Sequence, residues 1–120
     1  MRMTDFLKEF LLGFDFEGRV AKKIEELAKE YNFSLTAKVN EIYLGSNSVI
    51  PSYRYSYQRI IEVETASSKF ILIPKTCHKA NLKAISANIS NYDAYIFFDT
   101  MGVSPNEVAF YLFKRIYEYT

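Results

Sequence analysis

The stretch Arg59-Ile60-Ile61-Glu62-Val63-Glu64-Thr65-Ala66-Ser67-Ser68-Lys69-Phe70-Ile71-Leu72-Ile73-Pro74 decides the fold. Its first half continues an alternating run that begins at Tyr53, Tyr55 and Tyr57, interleaved with Arg54, Ser56 and Gln58. Aromatic and β-branched residues at a period of two read as a strand. Ala66–Ser68 turns the chain, and Phe70–Ile73 is a short strand halted by Pro74, because proline has no N–H to give to a ladder.

Working upstream, Gly45–Ser52 reads as a loop or a wide hairpin end. Leu35, Ala37 and Val39 alternate as a strand, and Ile42–Leu44 is a further extended piece. The phase shift near Asn40 predicts a bulge or a turn. Before that, Asp15 caps a helix on which Phe16, Val20, Ile24, Leu27 and Tyr31 fall at helical spacing. Its charged face offers Lys22 with Glu26 and Glu25 with Lys29 as i,i+4 pairs. Thr4 or Asp5 caps a still earlier helix that stops at Gly13, with Phe6, Leu7, Phe10 and Leu11 on its apolar side.

Working downstream, Ala80–Asn91 reads as a helix with Leu82, Ile85 and Ile89 on one face. Ala94–Phe98 is a continuous apolar run, expected of a central strand covered on both faces in a parallel pairing. Ser104-Pro105-Asn106-Glu107 is a helix start: a capping serine, a proline at the first helical position, and a glutamate to close a capping box. The order is α, α, then three β segments with a short hairpin strand, then α, β, α. An antiparallel meander followed by a crossover helix and a buried strand gives an α/β domain with a mixed sheet flanked by helices.

A length of 120 residues, 49% hydrophobic and 24% charged, fits one domain with its own core. The single cysteine, Cys77, excludes a disulfide within the chain. The apolar runs are too short to cross a membrane, and the N-terminus lacks a secretory pattern, so a cytoplasmic protein is expected. Frequent Lys, Glu, Ile and Tyr with only 4 glycines point to a thermophile. The net charge of +1 conceals a contrast. Residues 42–92 hold six basic side chains (Arg54, Arg59, Lys69, Lys75, Lys79, Lys83) against two acidic ones, Glu62 and Glu64. The flanking segments are slightly acidic. Phosphate fits such a patch, and so does a solvated lysine-rich helix face.

There is no glycine-rich phosphate loop, nucleophile elbow or metal-spaced His/Cys cluster. Cys77 and His78 are sequence neighbours, which does not suit a catalytic pair. Glu62 and Glu64 point to one face of their strand. Like charges so placed repel unless a divalent cation, lysine or arginine lies between them, or unless water screens them on an edge strand.

The run Arg59–Thr65 resembles the metal-binding strand of the PD-(D/E)XK nuclease superfamily, whose pattern is apolar-apolar-Glu-x-Lys. The order of elements from Asp15 to Phe98 is similar to that fold's helix, three antiparallel strands, helix and strand, nearest in layout to archaeal Holliday-junction resolvases. The resemblance implies a restriction-endonuclease-like core (α-β-β-β-α-β) over residues 14–100, an accessory N-terminal helix over 1–13 and a C-terminal helix over 104–120. It implies Mg²⁺ held by Glu41 and Glu62, with Glu64 beside them, Glu17 as a supporting acid, and Lys69 or Lys75 replacing the motif lysine, whose position here is Glu64. Arg54, Arg59, Lys79 and Lys83 would contact nucleic acid. The first acid is ordinarily Asp and here is Glu41. The expectation is a nuclease-like protein that binds or hydrolyses nucleic acid and forms a homodimer. The alternative is a catalytically inactive interaction or regulatory module of viral or archaeal type, for which the apolar N-terminal helix offers a surface and the Tyr53/Tyr55/Tyr57 ladder a stacking platform.

Overall fold

The computed structural model describes residues 15–43 and 57–120. The expected N-terminal helix, Arg54, the 45–52 loop, and Tyr53 and Tyr55 of the ladder lie outside the described residues. The element order is α1 (Phe16–Glu30), β1 (Leu35–Tyr43), β2 (Tyr57–Thr65), β3 (Lys69–Pro74), α2 (Lys79–Asn88), β4 (Ala94–Phe98) and α3 (Pro105–Tyr119). The four strands form one mixed sheet in the order β1-β2-β3-β4. The first two pairings are antiparallel, and β3 with β4 is parallel.

Side chains alternate across the sheet, so each strand feeds two cores. On one face Ala37, Ile61, Val63, Phe70, Leu72, Ile96 and Phe98 pack beneath α1 and α3. On the other, Ile42, Ile60, Ile71 and Ile73 pack beneath α2 through Ile85 and Ile89. The central strand β3 is buried from Phe70 to Pro74 because both layers cover it.

α1 begins as its sequence demands: the Asp15 carboxylate accepts the Gly18 N–H at 3.1 Å. It ends on Asn32, which takes the left-handed conformation at φ 51°. The Phe33 N–H then reaches Ala28 O at 2.8 Å and the Asn32 N–H reaches Lys29 O at 3.2 Å. This double closure satisfies two carbonyls of the last turn and folds Phe33 onto the core. α3 starts at Ser104, whose hydroxyl oxygen accepts the Glu107 N–H at 3.2 Å. α2 runs from Lys79 rather than Ala80 and stops at Asn88, with the His78 ring as its cap.

Three expectations are corrected. β1 is unbroken from Leu35 to Tyr43, and its register with β2 carries no bulge at Asn40. The apolar phase changes there because burial passes from the α1 face to the α2 face, where Ile42 lies. Among the described residues β4 is an edge strand, not a central one, and Phe97 is 42% exposed. Finally, Glu25 does not serve Lys29. Its carboxylate accepts the Ala37 N–H on the outer edge of β1 at 2.9 Å, while Lys23 and Glu26 pair along the helix at 3.9 Å.

Candidate functional site

The carboxylates expected to share a metal ion sit on different faces. Glu41 is paired in register with Arg59, and Lys38 with Glu62. Odd-numbered positions of β1 and β2 face α1, and even-numbered ones face α2. Glu41 and Glu62 therefore point to opposite sides of the sheet, and no ion bridges them there. Among the described residues no group of three or more His, Cys, Asp or Glu side chains is placed to hold a metal. The donor set implied by the resemblance does not fit Mg²⁺.

The Glu62–Glu64 repulsion has a local answer. The Lys69 ammonium lies 3.8 Å from Glu64 across the β2–β3 hairpin. Asn40 donates to Glu62 at 3.4 Å from β1. Arg59 serves neither glutamate. It turns to the α1 face and meets the Asp15 carboxylate at 2.7 Å. Glu17 is half-buried on α1, on that same side of the sheet. Lys69 and Lys75 flank opposite ends of β3, about 20 Å apart at ~3.3 Å per residue. They cannot both serve one site.

The residues that the structure does bring together lie at the carboxyl ends of the two parallel strands. Lys75 follows β3 and Asp99 follows β4, and they pair at 3.3 Å. The Lys75 N–H also reaches Phe98 O at 2.9 Å, which fixes the two strand ends against each other. A crevice of about 390 Å³ opens here, lined by Lys75, Phe97, Asp99, Glu107 and Tyr111 over Phe98, Val103 and Val108. Tyr111 is held by Arg115, which donates to its hydroxyl at 2.7 Å and lies 5.7 Å from the ring centre. Asp99, Glu107 and Tyr111 were not anticipated from sequence. The available signal was an apolar strand followed at once by a charged residue, twice: Ile73-Pro74-Lys75 and Phe97-Phe98-Asp99.

The chain from Lys75 leads straight into α2. Lys79 and Lys83 are exposed on this helix, one turn apart, and no acidic residue occurs between Lys79 and Asn88. Cys77 and His78 do separate work. The thiol faces the His78 carbonyl oxygen at 3.6 Å, while the His78 ring nitrogen Nδ1 accepts the Ala80 N–H at 3.2 Å. Burial pushes the Cys77 thiol above its ordinary value. Among the described residues no helix is long and apolar enough to cross a membrane. Comparison with known proteins returns no match to the chain from family models, curated proteins or solved structures.

Proposed function

We propose that the protein binds nucleic acid through its phosphate backbone, on a nuclease-like fold, along the surface that runs from Lys75 through Lys79 to Lys83. One observation carries this reading: α2 exposes two lysines one turn apart and holds no carboxylate to neutralise them. The other two described helices differ. α1 balances Arg19, Lys22, Lys23 and Lys29 against Glu17, Glu25, Glu26 and Glu30, and α3 balances Lys114 and Arg115 against Glu107 and Glu118. The order of elements and the mixed sheet support a nuclease-like core, while the opposite facing of Glu41 and Glu62 favours binding over metal-dependent cleavage. Backbone binding of this kind releases counterions and weakens steeply with salt.

The test is a titration of short duplex and single-stranded DNA and RNA at two salt concentrations, without divalent ions, using wild type and Lys79→Glu/Lys83→Glu. The expected result is salt-sensitive binding that falls at least about tenfold in the variant, with the salt slope reduced by about 2. Absence of binding at low salt, or binding indifferent to the charge reversal, overturns it.

A second reading, self-association, is favoured by an apolar crevice of about 350 Å³ between α1 and α3, lined by Tyr31, Phe110, Phe113 and Tyr117 with Lys114 and Glu118 at hand. Tyr31, Phe110 and Tyr117 are each more than half exposed. Sedimentation of wild type and Phe110→Ser tests it: a dimer lost in the variant supports this reading, and a monomer at all concentrations removes it.

A further inference from the structure

We infer that the crevice at the ends of β3 and β4 takes the ring of an unstacked nucleobase. This inference rests on the nucleic-acid reading for its biological ligand but concerns a different surface and a different chemistry. The position is the one at which open α/β sheets commonly take ligands, outside the carboxyl ends of parallel strands. Its volume of about 390 Å³ lies toward the small end of the usual range for small-molecule sites.

The lining selects the ligand class. Asp99 and Glu107 place two carboxylates against the single ammonium of Lys75, so a phosphate group is repelled from the crevice itself. A neutral planar ring is suited to it. Tyr111 from α3 brings aromatic surface that is 49% exposed. Base–aromatic stacking draws on surface of this kind. The carboxylates accept from amino and ring N–H groups, as acidic side chains do from cytosine N4, and Lys75 donates to a ring nitrogen or carbonyl. The Arg115–Tyr111 contact keeps the tyrosine ring in one orientation, which lowers the entropy cost of stacking on it. Lys75 joins the two surfaces, since it both lines the crevice and begins the run into α2. A base held here leaves its phosphates outside, toward Lys79 and Lys83.

The test uses uncharged nucleosides, cytidine and adenosine at millimolar concentration, with NMR signals of Lys75, Asp99 and Val103 as the readout. Wild type, Tyr111→Leu and the α2 charge-reversal variant are compared, with folding checked by the dispersion of the remaining signals. Saturable shifts in wild type and in the charge-reversal variant, lost in Tyr111→Leu, support the crevice whatever the backbone result. In oligonucleotide titrations single-strand affinity falls about five- to a hundredfold in Tyr111→Leu, while duplex affinity holds. If oligonucleotides bind through α2 but nucleosides shift nothing and Tyr111→Leu binds single strands as wild type does, the crevice inference fails and the backbone reading stands. If neither oligonucleotides nor nucleosides bind, both fall.

Discussion

Asp15 and Arg59, 44 residues apart, meet at 2.7 Å and tie the start of α1 to β2. The same carboxylate spends its other oxygen on the Gly18 N–H, so one side chain caps a helix and anchors it to the sheet. There is no room for a larger residue at 18: a Cβ there would lie 2.5 Å from Asp15 Oδ2 and 2.9 Å from its Cγ. Gly18→Ala ordinarily gains about 1 kcal/mol within a helix. Here it displaces the cap, which is worth about 1 kcal/mol, and loosens a charge-assisted contact besides. The expected outcome is a net loss of about 1 kcal/mol in urea denaturation. A double-mutant cycle with Asp15→Ala shows strong non-additivity, because both changes remove the same contacts.

Leu72 is fully buried at the centre of the sheet. Leu72→Ala leaves a cavity beneath α1 and α3 and is expected to cost about 3 kcal/mol, read from the denaturation midpoint at unchanged slope. Glu64→Ala, by contrast, removes a contact whose glutamate side chain is 62% exposed, and is expected to cost less than about 1 kcal/mol.

Divalent ions are expected to compete with the protein for phosphate rather than assist it. Glu41→Gln and Glu62→Gln should each leave nucleic-acid affinity within about twofold of wild type, because neither residue lies on the Lys75–Lys83 surface and one fewer negative charge costs nothing there. Calorimetry with Mg²⁺ on wild type and on both variants checks this. Tight binding abolished by either substitution would restore a metal to the mechanism.

Stability should decline at alkaline pH. Burial raises the Cys77 thiol. Desolvation likewise raises the Tyr95 phenol, joined by Tyr92 and partly opposed by the hydrogen bond with Ser86. A group whose folded value is raised favours the native state while protonated. Its contribution is complete below the unfolded value and is lost as pH climbs through the folded one. The loss therefore begins above about 8.5 for the thiol and about 10 for the phenol. Urea titrations at pH 7 and pH 11 measure it, and Cys77→Ala with Tyr95→Phe should flatten the difference.

Much of this architecture was legible because local signals agreed with tertiary ones. Asp15 and Ser104 mark helix starts by their own hydrogen bonding and Pro105 by its fixed φ and missing N–H, and the Ile60–Ile73 hairpin declares both strands. What the sequence could not state was which face a residue serves. Val39 and Ile42 are three apart, which looks like a break in a strand but is a handover between two helical layers. Glu41 and Glu62 looked like partners because the resemblance put both at metal-binding positions. Their separation follows from register and parity, which a single strand does not contain. The Lys75–Asp99 pair depends on β3 and β4 being neighbours in parallel, a fact fixed by the crossover through α2.

The Glu25 carboxylate on the Ala37 N–H also makes the sheet one-sided. The outer margin of β1 is clamped from α1 and carries Lys38 and Glu41, whereas β4, Ala-Tyr-Ile-Phe-Phe, has no charge or proline along its length. A strand from another molecule can add readily at one margin and is resisted at the other. Growth that is open on one side and closed on the other stops after a single step. Any edge-to-edge association of this domain should end as a two-fold pair and not propagate into a fibre.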